Sequence, residues 1–352
     1  MKRLLLFIFV LFVGVNNCFC SVNSAYEYVV MDNVTGRVLA GKNYNKPMLI
    51  ASITKIMTCV IAIESGKLDN KVIVDDTILK AYGSGIYIEI GEELSLRDLL
   101  YGLMLRSGND AALMISKYVG GDIDNFVKMM NDKAKDIGMN NSKFVNPSGL
   151  DDDGGNYSTA YDMALLTRYA MKYDVYREIV STKSYTLKTN KKTYVWKNKN
   201  KLLSEDYITG GKTGYTDKAR RTLVSTGSKN NINLIVVTIR DSDDWNTHKS
   251  LYNSIFSKYV AYKFLDKNNF YIDNNYYKGN FYIKNDVYIP VLDRELRSIN
   301  GKVVLDIIDN YKTGDKVGDY VILLNNDVIY KEPIYIKKKN IKKKSWFREL
   351  IS

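Results

Sequence analysis

The stretch Ser52-Ile53-Thr54-Lys55 is the only Ser-x-x-Lys motif in the chain, and it opens an apolar run that ends at Gly66. Apolar residues at helical spacing before a glycine predict a helix over Ser52–Ser65. Residues three apart on a helix share one face, so a deprotonated Lys55 could take the proton of the Ser52 hydroxyl. A capping serine followed by a solvated lysine is the alternative, but a lone lysine in an apolar helix is unfavourable unless it is used or paired.

Two further motifs follow at long intervals. Ser107-Gly108-Asn109 interrupts a helical pattern that begins with the capping-box-like pair Ser95 and Asp98, so its polar side chains are expected in a loop. Lys212-Thr213-Gly214 precedes strand-like runs, and its strand could present an edge to an extended peptide. Each triplet is weak alone, since Ser-x-Asn recurs elsewhere and Lys-Thr-Gly recurs at 312–314, in a segment that we interpret as a structural turn. The order of the three motifs predicts a serine acyl-transfer site.

The hydrophobic pattern predicts an α+β fold. An antiparallel sheet begins with Tyr26–Asp32 and Arg37–Ala40 and is completed after Lys212. Helices pack on this sheet, and a helical subdomain carries the Ser107 motif, with a cleft between the two. Short alternating stretches after about residue 267 predict a small all-β domain.

Composition and the N-terminal segment favour an exported protein. With 352 residues, of which 45% are hydrophobic, the chain can bury a sizeable core and hold more than one domain. The net charge of +12 comes without a recognition motif, so no nucleic-acid partner is expected. Residues 1–20 are typical of a signal peptide, with cleavage between 20 and 25, and an uncleaved anchor is the alternative. Removal would leave Cys59 as the only cysteine, a core thiol without a disulfide partner.

The basic tail, residues 337–352, combines a lysine-rich run with the aromatic and aliphatic end Trp346–Ile351. Such a segment can lie at an anionic membrane surface, where lysines and apolar side chains both contribute. The tail predicts a peripheral, salt-sensitive membrane contact, and a solvated tail is the alternative.

The chain resembles the low-molecular-weight penicillin-binding proteins, the serine D-Ala-D-Ala carboxypeptidases of peptidase family S11. The likeness covers about 25–336 and extends beyond the three motifs to several further stretches: Leu99–Leu103, Asn109–Ala112, Phe144–Pro147, Tyr157–Ala160, Asn198–Leu203 and Lys212–Thr216. It implies a penicillin-binding/β-lactamase-like transpeptidase fold, with a catalytic domain over 25–265 and a C-terminal β-sandwich over 270–336.

The resemblance also implies roles for the motif residues. Ser52 would attack the carbonyl between the last two D-alanines, Lys55 would take its proton, and Ser107 would relay a proton to the departing D-alanine. The residues implied in substrate binding are Asn109, Lys212, Thr213 and Gly214. The backbone N–H groups of Ser52 and Tyr215 would form the oxyanion hole.

Substrate, partners and location follow from the same resemblance. The implied substrate is a peptidoglycan stem peptide ending in D-Ala-D-Ala, cut at the outer face of the cytoplasmic membrane or in the cell wall. β-Lactams would be covalent inhibitors, and no cofactor or metal is expected. Ser148, Asn156 and Arg220 depart from what is usual in relatives. The only histidine, His248, is interpreted as a surface residue.

Three alternative functions remain open. A D,D-endopeptidase would use the same residues, and a noncatalytic cell-wall binding protein would keep the cleft. A class A-like β-lactamase would need a glutamate to activate the deacylating water, yet no glutamate occurs between Glu93 and Glu178. Asp151–Asp153 beside two glycines more readily forms a solvated turn. We therefore expect a long-lived penicilloyl ester on Ser52.

Overall fold

The computed structural model describes residues 24–338. The predicted signal peptide and the basic tail beyond Lys338 lie outside the described residues. The α-helices of the described part are α1 (Lys55–Glu64), α2 (Leu96–Tyr101), α3 (Asn109–Gly120), α4 (Ile123–Asp136), α5 (Ala160–Ala170), α6 (Asp174–Ser181) and α7 (Asp244–Lys258). Its strands are β1 (Glu27–Asp32), β2 (Val38–Lys42), β3 (Met48–Leu49), β4 (Lys71–Ile73), β5 (Glu93–Ser95), β6 (Tyr157–Ser158), β7 (Ser184–Lys188), β8 (Thr193–Lys197), β9 (Ile208–Thr216), β10 (Arg220–Lys229), β11 (Ile232–Ile239), β12 (Val260–Leu265), β13 (Gly279–Tyr282), β14 (Val287–Val291), β15 (Ile299–Leu305), β16 (Lys316–Leu324) and β17 (Asp327–Lys338).

The central sheet has the strand order β2-β1-β11-β10-β9, and its neighbouring strands are antiparallel. This confirms the predicted α+β architecture. Strand β9 carries the Lys-Thr-Gly motif and places Lys212 opposite Val224 of β10. Within residues 24–338, β9 pairs with β10 alone, so the other edge of β9 is open.

Helix α1 runs through the core, where a helix that is apolar on most of its faces is stable. Every residue from Lys55 to Ile63 is buried, and its apolar side chains join a cluster that also includes residues of α3 and α5. Cys59 is buried in this helix, as predicted for a core thiol. The helix begins later than predicted, because Ser52 lies in a 3-10 turn, Ala51–Thr54, that precedes α1.

Contacts with other segments impose this 3-10 turn. Ala51 has a positive φ of 49°, which an L-residue adopts only under constraint. Gly149 lies directly against it, since a Cβ at Gly149 would collide with the Ala51 carbonyl oxygen. The Thr222 hydroxyl donates to the Ile50 carbonyl at 3.0 Å. These contacts hold the segment that presents Ser52.

The helical subdomain begins at the predicted capping box. The Ser95 hydroxyl accepts from the Asp98 N–H at 3.0 Å, and the Asp98 carboxylate accepts from the Ser95 N–H at 2.9 Å. After α2 the chain makes a π-helical turn, Gly102–Arg106, which ends at Ser107 in the left-handed region, with φ 65°. Helix α3 starts two residues later, so the Ser107 motif joins two helices as predicted.

The C-terminal part is built of strands. One sheet has the order β13-β17-β16-β15, and a second sheet pairs β12 with β14. The two sheets share an apolar cluster that includes Leu265, Ile289 and Ile322. The second Lys-Thr-Gly, at 312–314, lies in a turn before β16, as predicted. Strand β17 continues into the first two residues of the basic tail, where Lys337 and Lys338 pair with β13.

Candidate active site

Ser52 and Lys55 lie side by side at the start of α1. The Lys55 Nζ lies 3.1 Å from the Ser52 Oγ, 2.7 Å from the Asn109 Oδ1 and 2.5 Å from the Ser148 carbonyl oxygen. Lys55 is fully buried. Its amine thus has three partners in the interior: the Ser52 hydroxyl and two oxygen acceptors from other segments.

The pKa of Lys55 is lowered to about 7, mainly by burial and in addition by the nearby charge of Lys199, while the charge of Asp110 opposes the shift. Desolvation disfavours the ammonium form, and a like charge adds to this effect. A lysine with such a pKa can act as a base near neutral pH.

The Ser107 motif forms the opposite wall of the cleft. The Lys212 Nζ lies 3.1 Å from the Ser107 Oγ and 2.6 Å from the Thr213 carbonyl oxygen. Asn109 donates through its Nδ2 to the Tyr82 carbonyl at 2.6 Å, which orients its Oδ1 toward Lys55. Lys55 therefore connects the Ser107 motif to the Ser52 segment, and Lys212 connects it to the Lys-Thr-Gly strand.

Lys212 is buried like Lys55, and its pKa is lowered for the same kind of reason. Burial lowers its pKa well below the ordinary value, and the charges of Lys55 and Lys199 lower it further. Two buried ammonium groups repel each other. The arrangement favours a state in which at least one of the two lysines is neutral.

Gly214 brings β9 against the backbone of Ser52. A Cβ at Gly214 would lie 3.0 Å from the Ser52 nitrogen and 3.1 Å from the Ile53 nitrogen, and would collide with the Thr222 hydroxyl. Only glycine permits this approach. Ser52 and Tyr215, the residue after Gly214, both line the cleft.

The cleft itself has a volume of ≈ 340 Å³. Ser52, Ser107, Thr213, Gly214 and Tyr215 line it, so the structure brings these predicted site residues together. Lys55, Asn109 and Lys212 are buried behind its surface. The other residues that line the cleft are Ser84, Lys199, Lys201, Arg221, Asp244 and Trp245.

The sequence motifs did not identify several of these lining residues. Lys199 lies in the Asn198–Leu203 stretch that carried the resemblance, but no role was inferred for it. Arg221 lies on β10 opposite Tyr215, and its guanidinium contacts the Asp244 carboxylate at 2.5 Å and the Trp245 ring. A hairpin predicted after Gly214 could have placed Arg221 beside Tyr215, and this was the sequence feature that pointed to Arg221.

Other acidic groups lie apart from Ser52. Asp152 belongs to a short 3-10 turn and is exposed, and its carboxylate contacts the Tyr82 hydroxyl. Glu178 accepts from the Tyr101 hydroxyl at 2.7 Å. Neither residue lines the cleft that contains Ser52.

His248 is not a surface residue, so that prediction was wrong. It is fully buried, with its Nδ1 2.7 Å from the Ser225 Oγ and its Nε2 3.1 Å from the Thr238 Oγ1. Burial lowers its pKa to about 3. The stretch looked exposed because it is polar, yet α7 packs a partly polar face on the sheet, including Asp244 and Thr247.

Between residues 24 and 338, no three or more His, Cys, Asp or Glu side chains are grouped so that they could hold a metal ion. No helix in this range combines the length and the apolar character that a membrane crossing requires.

Comparison with known proteins places the chain in a family. A family model described as D-alanyl-D-alanine carboxypeptidase, peptidase S11, matches residues 20–243. The D-alanyl-D-alanine carboxypeptidase DacF of Bacillus subtilis is 36% identical over 222 residues, which are 61% of this chain and 57% of that protein. DacB2 of Mycobacterium tuberculosis is 33% identical over 60% of this chain and 73% of its own length.

A solved structure agrees with the family model. Penicillin-binding protein 5 of Haemophilus influenzae superposes with a TM-score of 0.71 at 25% identity, over 90% of this chain and 97% of that chain. The sequence match to DacF spans little more than half of that relative, whereas this structural match includes the C-terminal strands. The chain belongs to the D-alanyl-D-alanine carboxypeptidase family, peptidase S11.

Proposed function

We propose that the protein is a serine-type carboxypeptidase that removes the terminal D-alanine from peptidoglycan stem pentapeptides through an acyl-enzyme on Ser52. The observation that carries this proposal is the set of three contacts made by Lys55. A neutral lysine amine has two N–H donors and one lone pair. Asn109 and Ser148 can accept both hydrogens, which leaves the lone pair for the Ser52 hydroxyl.

Acylation would start when Ser52 Oγ attacks the carbonyl carbon between the two D-alanines and Lys55 takes its proton. The N–H groups of Ser52 and Tyr215 would stabilise the oxyanion. The close approach of Gly214 to the Ser52 nitrogen supports this assignment.

Departure of D-alanine requires a proton on its nitrogen. Ser107 would relay to this nitrogen the proton that Lys55 took from Ser52, which leaves Lys55 neutral again, and the Lys212 Nζ, 3.1 Å from the Ser107 Oγ, would hold this hydroxyl in place. Thr213, which lines the cleft, would bind the terminal carboxylate, and Lys212 would add positive charge. Water would then hydrolyse the Ser52 ester and release the shortened peptide.

The test combines intact-mass spectrometry with a product assay. The protein is incubated with penicillin, and D-alanine release is measured from a peptide ending in D-Ala-D-Ala, with Ser52→Ala as the control. We expect one penicilloyl adduct that persists for hours, together with D-alanine release, and neither with the variant. An adduct without release would favour an endopeptidase or a binding protein, and rapid penicillin turnover would favour a β-lactamase.

Location and membrane contact belong to the same proposal. The protein would be exported and would act at the outer face of the cytoplasmic membrane, held peripherally by the basic tail. A chain ending at Lys338 keeps all of β17. It should fail to sediment with anionic vesicles, whereas the chain that continues to Ser352 should sediment at low salt and be released at high salt. Equal sedimentation of both would contradict the role of the tail.

A further inference from the structure

A second hollow lies close to the cleft that contains Ser52. This hollow, the β8 groove, has a volume of ≈ 540 Å³ and lies between strand β8 and the Gly85–Tyr87 loop. Its lining residues are Gly85, Ile86, Tyr87, Arg106, Lys192, Thr193, Tyr194, Val195, Trp196 and Lys197.

Three chain segments contribute lining residues to both hollows. Ser84 and Ser107 line the Ser52 cleft, and their immediate neighbours Gly85 and Arg106 line the β8 groove. Lys199 lines the cleft, and Lys197, two residues earlier, lines the groove. Since one residue spans at most about 3.6 Å, the groove begins within one or two residues of the cleft.

The groove has a cationic lining. Its lining residues include three cations and no carboxylate. Lys192 is paired with Glu89 at 2.7 Å. The guanidinium of Arg106 donates to the Lys197 carbonyl at 3.2 Å, and its charge lowers the pKa of Lys199, for which burial is the larger cause. Lys192 is therefore neutralised by Glu89, and the charges of Arg106 and Lys197 are the ones that favour an anionic ligand.

Hydrogen bonds within the protein hold the Gly85–Tyr87 loop in its shape. The Asp110 carboxylate accepts from the Ile86 N–H at 3.0 Å and from the Tyr87 N–H at 2.7 Å. Lys192 also donates to the Tyr87 carbonyl at 2.8 Å, so the loop is joined to the hairpin that forms the other wall. The exposed Tyr87 and Val195 offer apolar surface beside the cations.

The position of the groove indicates which part of a substrate would bind in it. A carboxypeptidase substrate ends one residue beyond the scissile bond, so whatever extends out of the cleft is the part of the peptide that precedes the D-Ala-D-Ala end. We propose that the β8 groove binds this preceding part and selects peptides that carry carboxylates there, through Arg106 and Lys197. This proposal rests on the proposed function and adds the substrate class to it.

The test uses two synthetic peptides ending in D-Ala-D-Ala, one with two glutamates before this end and one with glutamines at the same places. We expect kcat/KM of the full-chain protein to be about fivefold higher for the glutamate peptide. The preference should arise in KM and should weaken at high salt. The Arg106→Gln/Lys197→Gln variant should lose it, while Arg106→Lys/Lys197→Arg should retain it.

Matched controls separate the groove from general charge effects. Lys188→Gln removes one charge from the same β7–β8 hairpin outside the groove and should keep the preference. The proposal would be overturned if Lys188→Gln reduced the preference for the glutamate peptide as much as Arg106→Gln/Lys197→Gln does, or if the unmodified protein showed no preference.

Binding measured by fluorescence anisotropy with the Ser52→Ala protein keeps this test independent of turnover. Tighter binding of the labelled glutamate peptide that depends on Arg106 and Lys197 supports the groove, even if no D-alanine is released. Absence of release would then count against the proposed carboxypeptidase reaction alone. Equal affinity for the two peptides would overturn the groove proposal whatever the reaction is.

Discussion

The Lys55 Nζ and the Asn109 Oδ1 lie 2.7 Å apart, and this contact joins the start of α1 to the start of α3 across the buried side of the cleft. The same Asn109 donates to the Tyr82 carbonyl, so one amide contacts both Lys55 and the Tyr82 segment. Lys55, the proposed base, and the helical subdomain are therefore held in one arrangement before any substrate binds.

Replacing this amide should slow acylation. Asn109→Leu keeps the approximate volume but removes the acceptor for Lys55, so the amine is no longer oriented toward Ser52. We expect the rate of penicillin acylation to fall by roughly 10²-fold, with the fold retained. Stopped-flow acylation kinetics and circular dichroism measure the two effects. Asn125→Ala, which removes an exposed amide from α4, should leave the rate unchanged.

The pH dependence of acylation should report the pKa of Lys55. Only the neutral amine can take the Ser52 proton, so the acylation rate should rise as pH increases through about 7. The Lys199 charge is the second cause of the low pKa, after burial. Lys199→Met should therefore raise the pKa of Lys55 and move the rising limb to higher pH, whereas Lys199→Arg should not.

Lys201 provides the control for this shift. It also lines the cleft, but its charge is not among the causes of the lowered Lys55 pKa. Lys201→Met should leave the midpoint of the pH profile in place. An equal shift in the Lys199→Met and Lys201→Met proteins would show that the general charge of the cleft, and not Lys199, sets the profile.

Local sequence was sufficient for some features. Ser52 and Lys55 are three apart in one apolar segment, so their proximity follows from helical geometry. The cap at Ser95 was predictable for the same reason, because its partner Asp98 is three residues away.

Other features depend on distant segments. The 3-10 turn around Ser52 depends on Gly149, which packs against Ala51. Lys199 acts on Lys55 through space, from a segment far along the chain. His248 looked exposed because its neighbours are polar, and only the packing of α7 on the sheet buries it. Such residues carry no local pattern that predicts their contacts.

Gly214 should tolerate no side chain. Gly214→Ala would push β9 away from the Ser52 and Ile53 nitrogens, and so displace the proposed oxyanion donors. We expect penicillin acylation to slow by about 10²-fold or more per folded molecule. Gly120→Ala is the matched control, because its Cβ would crowd Phe126 at 2.8 Å far from the cleft. It should lower the free energy of unfolding without changing the acylation rate of the folded protein.

His248 should make the protein less stable in acid. Its pKa is about 3 in the folded protein, against 6.5 for an ordinary histidine. As pH falls below 6.5 the unfolded chain gains a proton that the folded protein does not, so the free energy of unfolding decreases until about pH 3. For this residue alone the loss at pH 4.5 is about 2 kcal/mol.

Urea denaturation at pH 7 and pH 4.5 measures this contribution. His248→Gln should be less stable at pH 7, because the contacts with Ser225 and Thr238 are altered, yet it should lose about 2 kcal/mol less than the unmodified protein on acidification. Ser225→Ala removes one of these contacts but keeps the buried imidazole, so its acid sensitivity should persist. If His248→Gln and Ser225→Ala lose the same stability on acidification, then carboxyl groups rather than His248 govern the acid response.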